Sequence, residues 1–390
     1  MGNLSINRRA FMKTMGLAIA GAFGSQFDFS SRGAFSVKQI GDSWLLYDGQ
    51  DNPFYSVALN HLDPASMMYD ENRNIWQEKY ENNIIKWLSE KVALDIKDFG
   101  FNSVGWVQEV VTRGKTNHRH SRNFTFEEYQ ALDMPYCHML PFADFHQWEA
   151  ETIYPDFFSD DFAEWCDYVA RAHCTRLAND PHLVGYFYLD CPTWIHTIKE
   201  SAWKGPLFDP KRLATPKGKK ALFDLASQYY KITHDAIRRH DPHHLILGDR
   251  YNGQRPWAEE VIKAAAQYVD VISVQHFGLP EQIKTDLQKF HQASGGKPVL
   301  LADSGVPDYN TWEQGFISND YQRYARLTAM LENLKFCVGF HFCGAYQRNK
   351  IRKYGLLAPD ETYNQATQEA IKSFNEELIK ARLQSSGATK

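Results

Sequence analysis

The fold class this sequence predicts is a single (β/α)8 TIM barrel, preceded by an export signal and a short N-terminal β-hairpin. Three observations predict it. Short apolar runs rich in β-formers alternate with amphipathic stretches of helical period. The runs are continuously apolar rather than strictly alternating, as expected of strands whose outer face is covered by helices. Most of the runs end on a polar or ionisable residue.

In chain order the strands read as FYSVALN (54–60), NSVGWV (102–107), PYCHML (135–140), VGYFYLD (184–190), HLILGD (244–249), DVISVQHF (270–277), KPVLLAD (297–303) and CVGFHFC (337–343). Helices read at 75–99, 160–179, 217–240, 256–267, 281–293 and 318–334. Repeated βα units of this spacing close most simply as an eight-stranded barrel. ANDPHLVGYF and RHDPHHLILGD each place Asp-Pro between a helix and the next strand, and GGKPVLLAD places Gly-Gly-Lys-Pro there. Proline stops helices and pushes the preceding residue towards extended geometry. The segment from Val37 to Pro53 reads as a hairpin with a DGQDNP turn, closing the barrel floor. The longest unassigned stretches, 108–134 and 191–216, follow strands and so belong to the barrel's functional face. No Ser/Gly-rich linker and no second hydrophobic cycle interrupts the chain, so residues 34–385 are one domain.

The N-terminal NRRAFMKTMGLAIAGAFG pairs Arg8 and Arg9, then places Phe11 and Lys13 before a short apolar run. That run is too short for a permanent membrane anchor. Arg-Arg-x-Phe-x-Lys before a weakly hydrophobic stretch resembles a twin-arginine export signal over residues 1–33. The expectation is a periplasmic or secreted protein, with no membrane segment in its mature form.

With 390 residues the chain can bury a large core. A formal net charge of -4 leaves no nucleic-acid footprint. The 10 Trp, 20 Tyr and 25 Phe serve either a large core or a cleft in which sugar faces stack on rings. None of the six cysteines forms a CxxC pair, and no His/Cys cluster has zinc-finger spacing. They read as buried free thiols, and no cofactor or metal is expected.

In such a barrel chemistry sits at the C-terminal strand ends. Those ends carry Asn60, His61 and Asp63; Trp106, Gln108 and Glu109; His138, Asp144 and His146; Asp190 and Trp194; Asp249 and Arg250; Gln275 and His276; Asp303; and His341. A purely structural barrel has no need of such groups around its whole rim. Singly, His341 also fits a satisfied core histidine, and Asp249 a cap.

The succession of phrases resembles the clan A glycoside hydrolases, especially their agarase-like and β-galactosidase-like members. The likeness runs over about residues 50–360, through NPFYSVALNHLDP, FGFNSVGWVQE, YPDFFSDDF, LANDPHLVGYFYLDCPTW, HLILGDRYNG and KPVLLADSG. It implies a glycosidase with a carbohydrate substrate. It also implies an Asn-Glu pair ending strand four, whose Glu is the acid/base, and a nucleophilic Glu ending strand seven. This chain departs at both: Asp190 and Cys191 stand for Asn-Glu, and Asp303 for the nucleophile. Either Asp190 takes over the acid's role from one position earlier, or the family's acid is absent. An Asp/Asp pair, Asp190 and Asp303, is thus the catalytic candidate. His61, Trp106, His146, Trp194, Arg250, Gln275, His276 and His341 are the sugar-binding candidates.

Each Glu-to-Asp change withdraws a carboxylate by on the order of 1.5 Å. Two withdrawals could widen a retaining gap of about 5–5.5 Å into the inverting window of about 6.5–9.5 Å. A barrel that binds carbohydrate without catalysis is the alternative. A metal-dependent barrel hydrolase fits less well, because NHLD in strand one offers one histidine and no HxH pair.

Overall fold

The computed structural model describes residues 33–64, 67, 70, 72–107, 122–145, 154–195, 208–305, 322–348 and 355–385. Eight parallel strands close a barrel. They are β1 (Ser56–Leu59), β2 (Ser103–Val104), β3 (Tyr136–Met139), β4 (Leu183–Asp190), β5 (Leu245–Asn252), β6 (Ile272–Gln275), β7 (Val299–Ser304) and β8 (Cys337–Phe342). Neighbours follow chain order, and β8 pairs β1 to close the ring. The predicted barrel and all eight strands are present. Residues 1–32, where the export signal is expected, lie outside the described residues, as do Gln108, Glu109 and His146.

Local chemistry accounts for the helices. Ser159 caps Asp160–Leu177, its side chain accepting from Phe162 N, and Thr215 caps Pro216–His240 by accepting from Gly218 N. Both helices run into Asp-Pro, and that pair also latches the sheet. Asp180 accepts from Tyr136 Oη at 2.7 Å and from His182 N at 3.0 Å. One unit later Asp241 accepts from Tyr186 Oη at 2.7 Å and from His243 N at 3.0 Å. Each strand's tyrosine is thereby tied to the loop feeding the next strand. The predicted helix at 75–99 is broken: Arg73–Tyr80 ends at Glu81 in the left-handed region, and a new helix starts at Ile84.

Helices fall where none was expected. Phe126–Leu132 and Pro210–Leu213 lie inside the two stretches left unassigned. Gln365–Ser385 packs on the first and last helices of the ring, where Asn375 donates to Phe99 O and accepts from Tyr324 Oη. The hairpin turns earlier than expected, at Gly41 and Asp42, with Ile40 opposite Ser43. DGQDNP is a second turn, in which the Asp48 carboxylate accepts from the amides of Gln50 and Asn52 and returns the chain to pair at Pro53–Phe54. Phe35 and Leu46 from this small sheet join Val184, Leu245, Val271, Leu300 and Val338 in the inner core, so the sheet does close the floor. Among the described residues no helix is long and apolar enough to cross a membrane.

Three strands change phase just before their functional ends. On β5, Leu245 and Leu247 point into the inner core. Strict alternation would turn Asp249 inward and Arg250 outward. Gly248 takes φ +65°, and the β4–β5 register slips beside it. Asp249 then faces the helix layer, accepting from Tyr229 and Tyr230 hydroxyls, while Arg250 enters the barrel. β7 behaves alike: Leu300 and Ala302 are inner, and a register slip against β6 between Leu301 and Asp303 brings Asp303 in. β4 slips on both sides of Phe187 before Asp190. Bulges at barrel rims re-aim side chains in this way. A Cβ at residue 248 would lie 2.9 Å from Val269 Cγ1, in a left-handed backbone. Gly248→Ala should therefore cost at least ~1–3 kcal/mol in urea unfolding. A variant as stable as wild type would show that the phase change does not depend on this glycine.

Candidate active site

At the C-terminal mouth, Asp190 from β4 and Asp303 from β7 converge on Arg250 from β5. All three are buried. Arg250 donates from Nε to Asp190 Oδ1 at 2.8 Å, and its Nη2 is 2.8 Å from the same oxygen. Nη2 is also 3.7 Å from Asp303 Oδ2. The guanidinium lies 4.2 Å above the Trp106 ring. Gln275 at the end of β6, its amide oriented by these acceptors, donates to both carboxylates: 3.1 Å to Asp190 Oδ1 and 3.3 Å to Asp303 Oδ2. The nearest oxygens of the pair are therefore no farther apart than the sum of those two distances.

The second oxygen of Asp303 has its own surroundings. Asn60 Nδ2 donates to Oδ1 at 2.7 Å, and His61 Nε2 stands 3.9 Å from it. Asn60 is held by accepting from Trp106 N and donating to Ala302 O. Burial pushes the Asp303 carboxyl above the usual range; Arg250 works against the rise and Asp190 adds to it. Burial likewise opposes the Arg250 charge, but Asp190 and Asp303 outweigh it and hold the guanidinium protonated. Burial thus favours the protonated form of Asp303, the carboxyl that the resemblance would make the nucleophile.

Of the sugar-binding candidates, His61, Trp106, Arg250 and Gln275 join the carboxylates. Three others do not join them. Trp194 packs with Phe145, Phe157, Tyr229 and Tyr230 outside the barrel, and it lines a groove with Thr193, Tyr251 and Trp257 away from the carboxylates. His276 bonds Asp286 through Nε2 and accepts from Gly278 N through Nδ1, capping the turn into Pro280–Ala293. His341 lies inside the barrel against Ser56 Oγ and the edge of Phe187. Burial, then Arg250, holds its imidazole neutral, with a pKa down to about 3. Asp144 is exposed, and Asp249 is structural.

Asn60 was legible as a strand-end residue but carried no acid–base signal of its own. Cys343, one residue beyond β8, hydrogen-bonds Asp303 and reads in sequence as one more buried thiol. Trp257 was also missed. With Tyr251, Asn252, Arg255 and Thr193 it lines a groove beside the ends of β4 and β5. It follows a turn rather than a strand, so a strand-end reading passes over it.

No protein-family model matches the chain, and no curated protein matches it in sequence. Solved structures do match. An agarase, AgWH50C, aligns over 98% of this chain and 71% of its own length, with a TM-score of 0.67 and 17% identity. An exo-beta-agarase aligns over 93% and 68%, at 0.67 and 15%. A beta-D-glucuronidase of Dictyoglomus thermophilum aligns over 89% of this chain but 54% of its own, at 0.53 and 14%. At such identities the likeness is one of fold. The chain has the TIM-barrel architecture of these glycosidases, as the resemblance to agarase-like barrels implied.

Proposed function

We propose that this protein is a glycoside hydrolase cleaving O-glycosidic bonds in a polysaccharide or oligosaccharide. One observation carries the reading: Asp190 and Asp303 meet at the barrel mouth within reach of one Gln275 amide. We read two carboxylates that share one amide donor as the acid and nucleophile of a double displacement. Asp303 protonates the glycosidic oxygen as the leaving sugar departs. Asp190, paired with Arg250, bonds to the anomeric carbon. Asp303, now a base, takes a proton from water as that water displaces Asp190.

The test is a screen of algal galactans, agarose first, and plant polysaccharides, followed by NMR of the anomer first released. Release with retained configuration is expected; an inverted first product rejects double displacement. Binding of a glycan without turnover would establish the second reading, a carbohydrate-binding barrel. That reading is favoured by Arg250, which already engages Asp190 with two nitrogens and covers Trp106.

Export by the twin-arginine route is part of the proposal. Changing Arg8 and Arg9 together to lysine should leave the protein in the cytoplasm on cell fractionation. Normal export of that variant removes the assignment.

A further inference from the structure

Three adjacent strands of the closed barrel, β7, β8 and β1, end beside one another. Their ends bring together Asp303, Cys343 and His61, all buried, with one ligand-capable atom from each lying within 4.8 Å of the others. We propose that this triad holds a divalent cation of the zinc class.

The donor set fits that class. A thiolate, an imidazole and a carboxylate match a borderline-soft ion, and three protein ligands leave a fourth tetrahedral position open. Oxygen-seeking magnesium or calcium would not select a sulfur. The supporting groups are in place. Asn60 donates to Asp303 Oδ1 at 2.7 Å and is itself anchored on Ala302 O and Trp106 N. The backbone at Cys343 is fixed by its amide donating to Ser304 O at 2.7 Å. His61 adopts φ 57°, and its ring stands 3.9 Å from Asp303 Oδ1. Non-glycine residues held in that region cluster at sites where orientation matters.

Arg250 is the group that opposes a cation here. It faces the other oxygen of Asp303, at 3.7 Å, and Asp190 answers its charge at 2.8 Å. The ligands are brought together only by closure of the barrel, so no spacing motif announces them. The inference stands on geometry and does not require glycosidase activity. An ion bound there takes Asp303 out of proton transfer, so the metal-loaded form should not hydrolyse a glycan by the route proposed above.

The experiment uses the whole protein, stripped with a chelator and titrated with Zn2+ by calorimetry and with Co2+ by absorption. One equivalent should bind, and the cobalt form should show a thiolate-to-metal charge-transfer band. Cys343→Ser should lose the band, and His61→Ala should lose stoichiometric binding. Asn60→Ala should weaken affinity about 10–100-fold. Cys191→Ser, the other thiol beside the carboxylates, should change nothing. X-ray absorption of the zinc-loaded wild type needs no variant and should show one sulfur at about 2.3 Å. No stoichiometric binding by the folded protein, a ligand shell without sulfur, or a band that survives Cys343→Ser overturns the site.

Discussion

Arg250→Met should lower stability by about 3–5 kcal/mol and remove catalysis as well. The side chain is fully buried and is the cation between Asp190 and Asp303. Its loss leaves two carboxylates near each other in a site poor in water, and a like charge there raises at least one pKa strongly. The loss in urea unfolding should grow as pH rises, because ionising both acids without Arg250 is what costs. Arg250→Lys returns the charge but not the fork that meets Asp190 with two nitrogens, so it should recover only part of the stability. Adding Asp190→Asn to Arg250→Met removes one of the stranded charges and should also restore part of the loss. Purely additive effects in that cycle would show that Arg250 and Asp190 are not coupled. Trp106 adds a second expectation: with the guanidinium gone from its face, its fluorescence should change in the folded variant.

The barrel was legible because continuous apolar strands and Asp-Pro stops are local signals, and each helix is closed by chemistry within a few residues of its end. The C-terminal helix was not, since it is held by distant partners such as Phe99 O and Tyr324 Oη. The site was half legible for a related reason. Reading strand ends finds Asp190, Arg250, Gln275 and Asp303, but strict alternation misassigns which neighbour faces inward. Asp249 and Arg250 are adjacent, and only the left-handed Gly248 and its bulge decide that the arginine enters. Trp194 follows a strand as a sugar platform would, but its packing among Phe145, Phe157 and Tyr229 comes from distant elements that its sequence position does not reveal. His276 and His341 sit on strand ends for hydrogen bonds within the fold. Asn60 and Cys343 matter through Asp303, a contact made across the barrel closure that no local pattern encodes.

Asp190→Asn and Asp303→Asn should each cut hydrolysis of the natural glycan by at least ~10²–10⁴-fold, the scale of one acid–base contribution. Asparagine is nearly isosteric, so both variants should fold, but their stabilities should diverge. Asp190 is the close partner of Arg250, and its neutralisation leaves a buried cation poorly answered, so Asp190→Asn should be destabilised. Asp303 has a folded pKa raised above its unfolded value by burial. The folded state then binds its proton more tightly than the unfolded state does. That contribution is complete below the unfolded pKa and is lost as pH rises through the folded one. Asp303→Asn removes the cost of ionising in place, so its melting temperature at neutral pH should equal or exceed wild type while activity is gone. The alkaline limb of the kcat/KM profile, where Asp303 loses its proton, should disappear with it. An aryl glycoside with a good leaving group separates the roles. It needs no protonation at the departing oxygen, so Asp303→Asn should regain much of its kcat/KM on that substrate, with turnover restored only by an added nucleophile such as azide, and Asp190→Asn should not. Rescue of Asp190→Asn instead would restore the roles the clan resemblance implies, with the strand-four carboxyl as acid. Rescue of neither would leave Asp303 without an acid's function.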